Sequence, residues 1–292
     1  MTPSAIDTAR NLPIWSGPVE PVPLAGGITN VNFVVRDGAR RVVVRVGADI
    51  PVHQVMRFNE LAASQAAHAA GVSPAVLYHA PGVLVIDCIE GRTLTAEDIR
   101  APAMLDRVVR LVAQAHRELP RHLRGPTLAF WVFHVIRDYA ARLVAEASPH
   151  AGLMPDLLRA AEGLETAVGP IDMAFCHNDL LAANFIDDGA RLWLIDWDYA
   201  GWGSPLFDLG GLAANNGLST EAETRMLELY HDRPCDDALR RRLAAMKCAA
   251  ALRETLWSMV SERHSELDFD FAAYSAANLE VFRAALADLL QG

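Results

Sequence analysis

The chain has 292 residues, 52% of them hydrophobic, and a net charge of −10. That is ample apolar material for a large core in one bilobal unit or two domains, and the acidic balance argues against nucleic acid as a partner while mildly favouring cationic small molecules. No stretch has the apolar length of a membrane span, residues 1–10 lack a signal-peptide pattern, and Cys88, Cys176, Cys235 and Cys248 show no metal-type spacing, which fits free thiols in a reducing cytoplasm.

Residues 1 to about 20 are rich in Pro, Gly and Ser and read as a surface segment. From Leu24 to Val35 a Gly-rich turn leads into a strand. The paired Gly26 and Gly27 would let backbone N–H groups approach phosphate oxygens, although a Gly-Gly turn on its own is more often a plain hairpin. Thr29 and Asn30 are turn formers in either case. Arg41 to Val46 alternates as a strand, with Arg45 set among valines. Helical sequence follows from about Val52 to Ala70, ending at Gly71 as a C-cap, with Glu60 in mid-helix. Val83 to Ile89 is a short apolar strand before Glu90-Gly91.

Thr95 reads as an N-cap, with Glu97 and Asp98 in the first turn, where the helix dipole favours anions. Leu105, Val108, Val109, Val112 and Ala115 then fall at helical spacing, and the helix is expected to end at His116, near Pro120. Trp131 to Ala145 and Pro155 to Ala167 also read as helices, as do Thr220 to His231, Asp236 to Glu262 and Phe269 to Leu290 nearer the C-terminus.

Between these helices lies Phe175 to Leu212. His177, Asn178 and Asp179 open it, and Asn184 comes five residues after the aspartate. Two apolar, strand-like runs follow, joined at Asp188-Gly189, and the second ends on Asp196. A hairpin therefore sets a loop with Asp179 and Asn184 beside a strand end with Asp196. The arrangement suits phosphoryl transfer. One carboxylate can accept the proton of an attacking hydroxyl, while Asn184 and Asp196 offer the hard oxygens that hold Mg²⁺ on phosphates. His177-x-Asp179-x₄-Asn184 followed by Asp196 has the spacing of a protein-kinase catalytic loop, with Ile195-Asp196-Trp197 in place of Asp-Phe-Gly.

Taken together, HNDLLAANFI, LIDWDYAG and PLFDLG resemble the choline/ethanolamine kinase branch of the aminoglycoside-phosphotransferase-like kinases, and the resemblance runs from Leu24 to Phe282. It implies an α+β, bilobal protein-kinase-like fold, with an antiparallel sheet and one helix in a nucleotide-binding lobe over 1–90 and a mainly helical catalytic and substrate-binding lobe over 91–292. It implies ATP and Mg²⁺ as cofactors and a small, cationic amino alcohol as acceptor. Asp179, Asn184 and Asp196 become the catalytic set, and Asn184 and Asp196 the metal ligands. Gly26, Gly27, Thr29 and Asn30 become the phosphate loop. Arg45 becomes the phosphate-gripping cation paired with Glu60, and the backbone around Asp87 and Ile89 the adenine hinge. Asp208 would brace the catalytic loop. Asp198 has either a site role or a local backbone role. Trp257 and Tyr274 match the family's acceptor pocket, in which Glu254 stands where the family carries an aromatic residue. A kinase for an aminoglycoside, thiamine or sugar is the alternative within the class, and a nucleotide-binding pseudokinase the alternative outside it.

Overall fold

A computed structural model of the protein describes residues 4–24, 30–265, 267 and 269–291; Gly26, Gly27 and Thr29 lie outside them. The first part of the chain builds an antiparallel five-stranded sheet from β1 (Val22–Leu24), β2 (Val31–Asp37), β3 (Arg40–Val46), β4 (Val76–Ala80) and β5 (Val83–Asp87), in the order β1-β2-β3-β5-β4. Alternation sets its faces. Phe33, Val35, Val42, Val44 and Val85 point to one side and are sealed there by Ala9 and Leu12. Ala9 belongs to α1 (Ala5–Arg10), a short helix capped by the Ser4 hydroxyl. The opening segment is thus anchored on the sheet rather than simply draped over the surface. Arg45, one residue out of phase with Val44, points to the opposite side.

The expected helix over 52–70 is interrupted. Pro51–His53 forms one 3₁₀ turn, Gln54 takes a left-handed φ of 61°, and α2 (Arg57–Ala69) begins only afterwards. The side chain of Asp49 accepts the Arg57 N–H at 2.7 Å, capping α2 from outside the segment that periodicity reads. Gly71 ends it at φ 73°. This detour places His53 between the later helices: its Nδ1 meets Tyr139 Oη at 3.1 Å, its Nε2 meets Ser261 Oγ at 3.1 Å, and its ring packs on Trp257. Burial lowers its pKa to about 3, so the ring is neutral.

The rest of the chain is mainly helical. After β6 (Arg92–Thr93) come α3 (Ala96–Arg100), with the Thr95 capping box, α4 (Pro102–His122), α5 (Val132–Ala145) and α6 (Met154–Val168). His116 does not end its helix. α4 runs to His122 with Pro120 in its last turn, where few N–H bonds are left for proline to remove. Then come β7 (Ala174–Cys176), β8 (Phe185–Asp187), β9 (Leu192–Leu194) and β10 (Gly201–Gly203), paired as β6-β8-β9 and β7-β10. They are followed by α7 (Pro205–Asn216), α8 (Thr220–His231), α9 (Asp237–His264) and α10 (Phe271–Gln291). One apolar core joins α4, α5, α6, α7 and α9, and it includes Ala63, Ala66 and Ala67 of α2. The helix that carries Glu60 is therefore bolted to the helical part as well as lying under the sheet. The fold is the bilobal, kinase-like α+β architecture expected from the sequence. No helix among the described residues is long and apolar enough to cross a membrane.

Candidate active site

β7 delivers the chain to a loop held from below by one carboxylate. Asp208, buried in the first turn of α7, accepts the N–H of His177 at 2.8 Å and of Asn178 at 2.6 Å, and meets His116 Nε2 at 2.9 Å. Burial works against its charge, and His116 together with His177 holds its pKa below the ordinary carboxylate value. His177 Nε2 lies 2.9 Å from Ile195 O, an acceptor only, so Nε2 carries the proton and Nδ1 is left to accept the Asp179 N–H at 3.3 Å. Asn178, at φ 66°, bonds Tyr199 O through Nδ2. These contacts turn Asp179 outward into a cleft that Asn184, Asp196, Tyr199, Arg253 and Glu254 also line.

The hairpin performs the juxtaposition the sequence implied. Ile195 N–H bonds Asn184 O at 3.0 Å, and Asn184 Nδ2 donates to Asp179 O at 2.9 Å. The second bond fixes the amide and turns its Oδ1 another way. Asp196 follows at φ 71° with its side chain 29% exposed. Asn184 Oδ1 and the Asp196 carboxylate are hard oxygen donors on neighbouring backbone, the set Mg²⁺ takes alongside phosphate oxygens and water. Asp179 is pushed up to about 7, chiefly by burial; Arg253 opposes the shift and Asp196 and Glu254 add to it.

Above the cleft, Arg45 gathers three carboxylates: Glu60 at 3.1 Å, Asp196 at 2.8 Å and Asp198 at 3.2 Å. Burial alone would weaken its charge, and the three acids more than restore it. Arg57, unremarked in the sequence, adds bonds to Glu60 at 2.6 Å and Asp198 at 2.9 Å. Asp198 also accepts Asn30 Nδ2 at 2.9 Å. Both of its oxygens thus meet side chains of the sheet lobe. At the hinge, the Asp87 N–H is taken by Ala75 O and the Cys88 N–H by Arg41 O.

At the far end of the cleft, Tyr274 Oη donates to Glu254 Oε1 at 2.9 Å and Arg253 donates to Glu254 Oε2 at 3.0 Å. Trp257 is 5% exposed, with its N–H on Tyr199 Oη at 2.9 Å and its ring against His53 and Phe271. Sequence reasoning brought Glu254, Trp257 and Tyr274 together and passed over Arg253. The signal was present: Arg253 stands one helical turn before Trp257, among the buried Leu252, Thr255 and Leu256.

Residues 20–246 match the family model described as the phosphotransferase enzyme family. Ethanolamine kinase 2 of Mus musculus is 27% identical over 280 residues, covering 85% of this chain and 71% of its own length. Protein LicA of Haemophilus influenzae is 26% identical over 260 residues, covering 85% of this chain and 75% of its own. Among solved structures, a choline/ethanolamine kinase family protein from Mesorhizobium loti superposes with a TM-score of 0.77 at 29% identity, over 98% of this chain and 99% of that one.

Proposed function

Because this chain belongs to the phosphotransferase enzyme family, we propose that it is an ATP- and Mg²⁺-dependent kinase that phosphorylates the hydroxyl of a small, cationic amino alcohol. The names of its relatives, ethanolamine kinase 2 and a choline/ethanolamine kinase family protein, support the acceptor class. One observation carries the reaction: Asn184 is bonded to the backbone of Asp179, and Ile195 to the backbone of Asn184, so that base and metal ligands share one rigid unit facing one cleft.

In this reading Asp179 accepts a hydrogen bond from the acceptor hydroxyl, aims its oxygen at the γ-phosphorus, and takes the proton late in the transfer. Asn184 and Asp196 hold the metal, which when bound neutralises charge on the phosphates. Gly26, Gly27, Thr29 and Asn30 cradle the phosphates. Arg45, held by Glu60, grips them in exchange for its present partner Asp196. Backbone around Asp87 and Ile89 takes the adenine. Glu254 and Tyr274 meet the acceptor's amine, with Trp257 supporting them from behind, and Asp198 keeps Arg45 and Arg57 in place. Residues 1–90 are then the nucleotide lobe and 91–292 the catalytic and acceptor lobe. The need for ATP fits a cytoplasmic setting.

The test is ADP release from ATP and Mg²⁺ across choline, ethanolamine, thiamine, aminoglycosides and simple sugars. Turnover should be fastest with a small amine. A neutral sugar outrunning every amine would sink the acceptor class, and ATP binding without ADP release on any acceptor would leave a pseudokinase.

A further inference from the structure

Arg253 is a cation placed where a cationic acceptor is expected. It is 6% exposed and lines the cleft that Asp179 and Glu254 line. Its guanidinium lies 4.5 Å from the centre of the Tyr199 ring. One nitrogen bonds Glu254, while Nε and Nη2 have no hydrogen-bond partner among the described residues. An arginine keeps its charge at any physiological pH, and a buried donor left unmet is destabilising. A carboxylate is the partner that a guanidinium fork fits best.

The aromatic surfaces point the same way. A quaternary ammonium needs open ring faces. Arg253 covers Tyr199, and His53 and Phe271 pack on Trp257. Glu254, in contrast, accepts one bond on each oxygen and retains lone pairs for an ammonium that can donate. A buried plus and a minus 3.0 Å apart are thus presented side by side. That is the mirror of a molecule whose ammonium and carboxylate share one carbon.

We propose that the acceptor is a hydroxy amino acid, with its carboxylate received by Arg253 and its ammonium by Glu254. This rests on the kinase reading above. The acceptor's hydroxyl oxygen forms the new bond to the γ-phosphorus, the bond from that phosphorus to the bridging oxygen of ADP breaks with its electrons, and the hydroxyl proton passes to Asp179.

Two matched pairs test it: ethanolamine against serine, and 3-aminopropan-1-ol against homoserine, each pair differing by one carboxylate. We expect wild-type kcat/KM to favour the carboxylated member of a pair by about tenfold or more. Arg253→Met should cancel that preference, chiefly through KM, and Arg253→Lys, which keeps the charge without the fork, should restore part of it. Turnover of the plain amino alcohols with no gain from the carboxylate overturns the proposal and leaves the kinase reading standing. An equal loss of kcat for both members of a pair in Arg253→Met also overturns it, assigning the guanidinium to the phosphoryl group instead. ADP release with none of the four overturns the proposal, and with none of the wider acceptor set the kinase reading too. The wild-type ratio needs no variant, so the proposal stays open to refutation even if Arg253→Met fails to fold.

Discussion

In the proposed reaction Asp179 has two opposed duties, because the burial that would ready it as a base also makes its charge unwelcome. Burial raises its pKa in the folded chain to about 7 from the ordinary aspartate value of 3.8. The folded chain therefore holds an extra proton between those values, and the stability this group contributes is full at acid pH and lost as pH rises through about 7. We predict that Asp179→Asn lowers kcat by a factor on the order of 10² or more, with little change in nucleotide affinity. The same variant should melt at least about 2 °C higher than wild type at pH 8, and show no such gain at pH 3.5, where the wild-type carboxyl is neutral in the folded chain and mostly neutral in the unfolded one. The wild-type rate should fall on the acid side with a midpoint near 7, read from kcat/KM against pH. For the metal, Asp196→Ala should abolish activity at any practical Mg²⁺ concentration, and Asn184→Ala should raise the Mg²⁺ needed for half-maximal rate. Metal-independent turnover by the wild type would refute both roles. Asp179, Asn184 and Asp196 were legible because one hairpin brings them together within a short sequence span. Arg57 and Arg253 were not singled out, since their partners include groups 141 and 54 positions away or are fixed only by helix packing.

Most helices were legible in the apolar spacing, and the misreadings share a cause. The helix over 52–70 was read as continuous because nothing in its own composition shows that Asp49 caps it three-dimensionally. α4 was cut short at a proline whose effect depends on how much helix remains beyond it. β10 shows the converse, a short element specified by contact. A Cβ built on Gly203 would stand 2.4 Å from Phe130 O, and Trp202 is bonded to both Leu128 and Phe130 through its backbone. Because β10 pairs with β7, which leads into the loop that carries Asp179, the strain would be felt at Asp179. We predict that Gly203→Ala destabilises the fold by about 1–3 kcal/mol, measured as a lowered urea midpoint, with a fall in kcat beyond any change in KM. An unchanged midpoint would show that the segment at Phe130 yields freely.

At the scale of the molecule, the resemblance carried the lobes and their order, while the means by which they are fastened was visible only in three dimensions. Arg45, Arg57 and Asn30 reach down to Asp196 and Asp198, so a salt network spans the cleft. On the other side His53 is plugged between Tyr139 of α5 and Ser261 of α9. The two fastenings differ in kind. The ionic one is made of groups for which the proposed nucleotide and metal would compete, and the histidine is neutral and sealed. Opening of the cleft should therefore be a swing about a fixed pivot, with His53 as the pin: travel is large near Asn30 and near zero at residues 50–55. Hydrogen exchange should show nucleotide and Mg²⁺ slowing amides near Asn30 and leaving those around His53 untouched. His53→Ala should remove the pin, so that exchange around 50–55 and the facing turns of α5 and α9 becomes fast. Product should then leave faster while the encounter with substrate becomes less productive, trading a higher release rate for a higher KM. A variant whose exchange map matches wild type would mean that the pivot lies elsewhere.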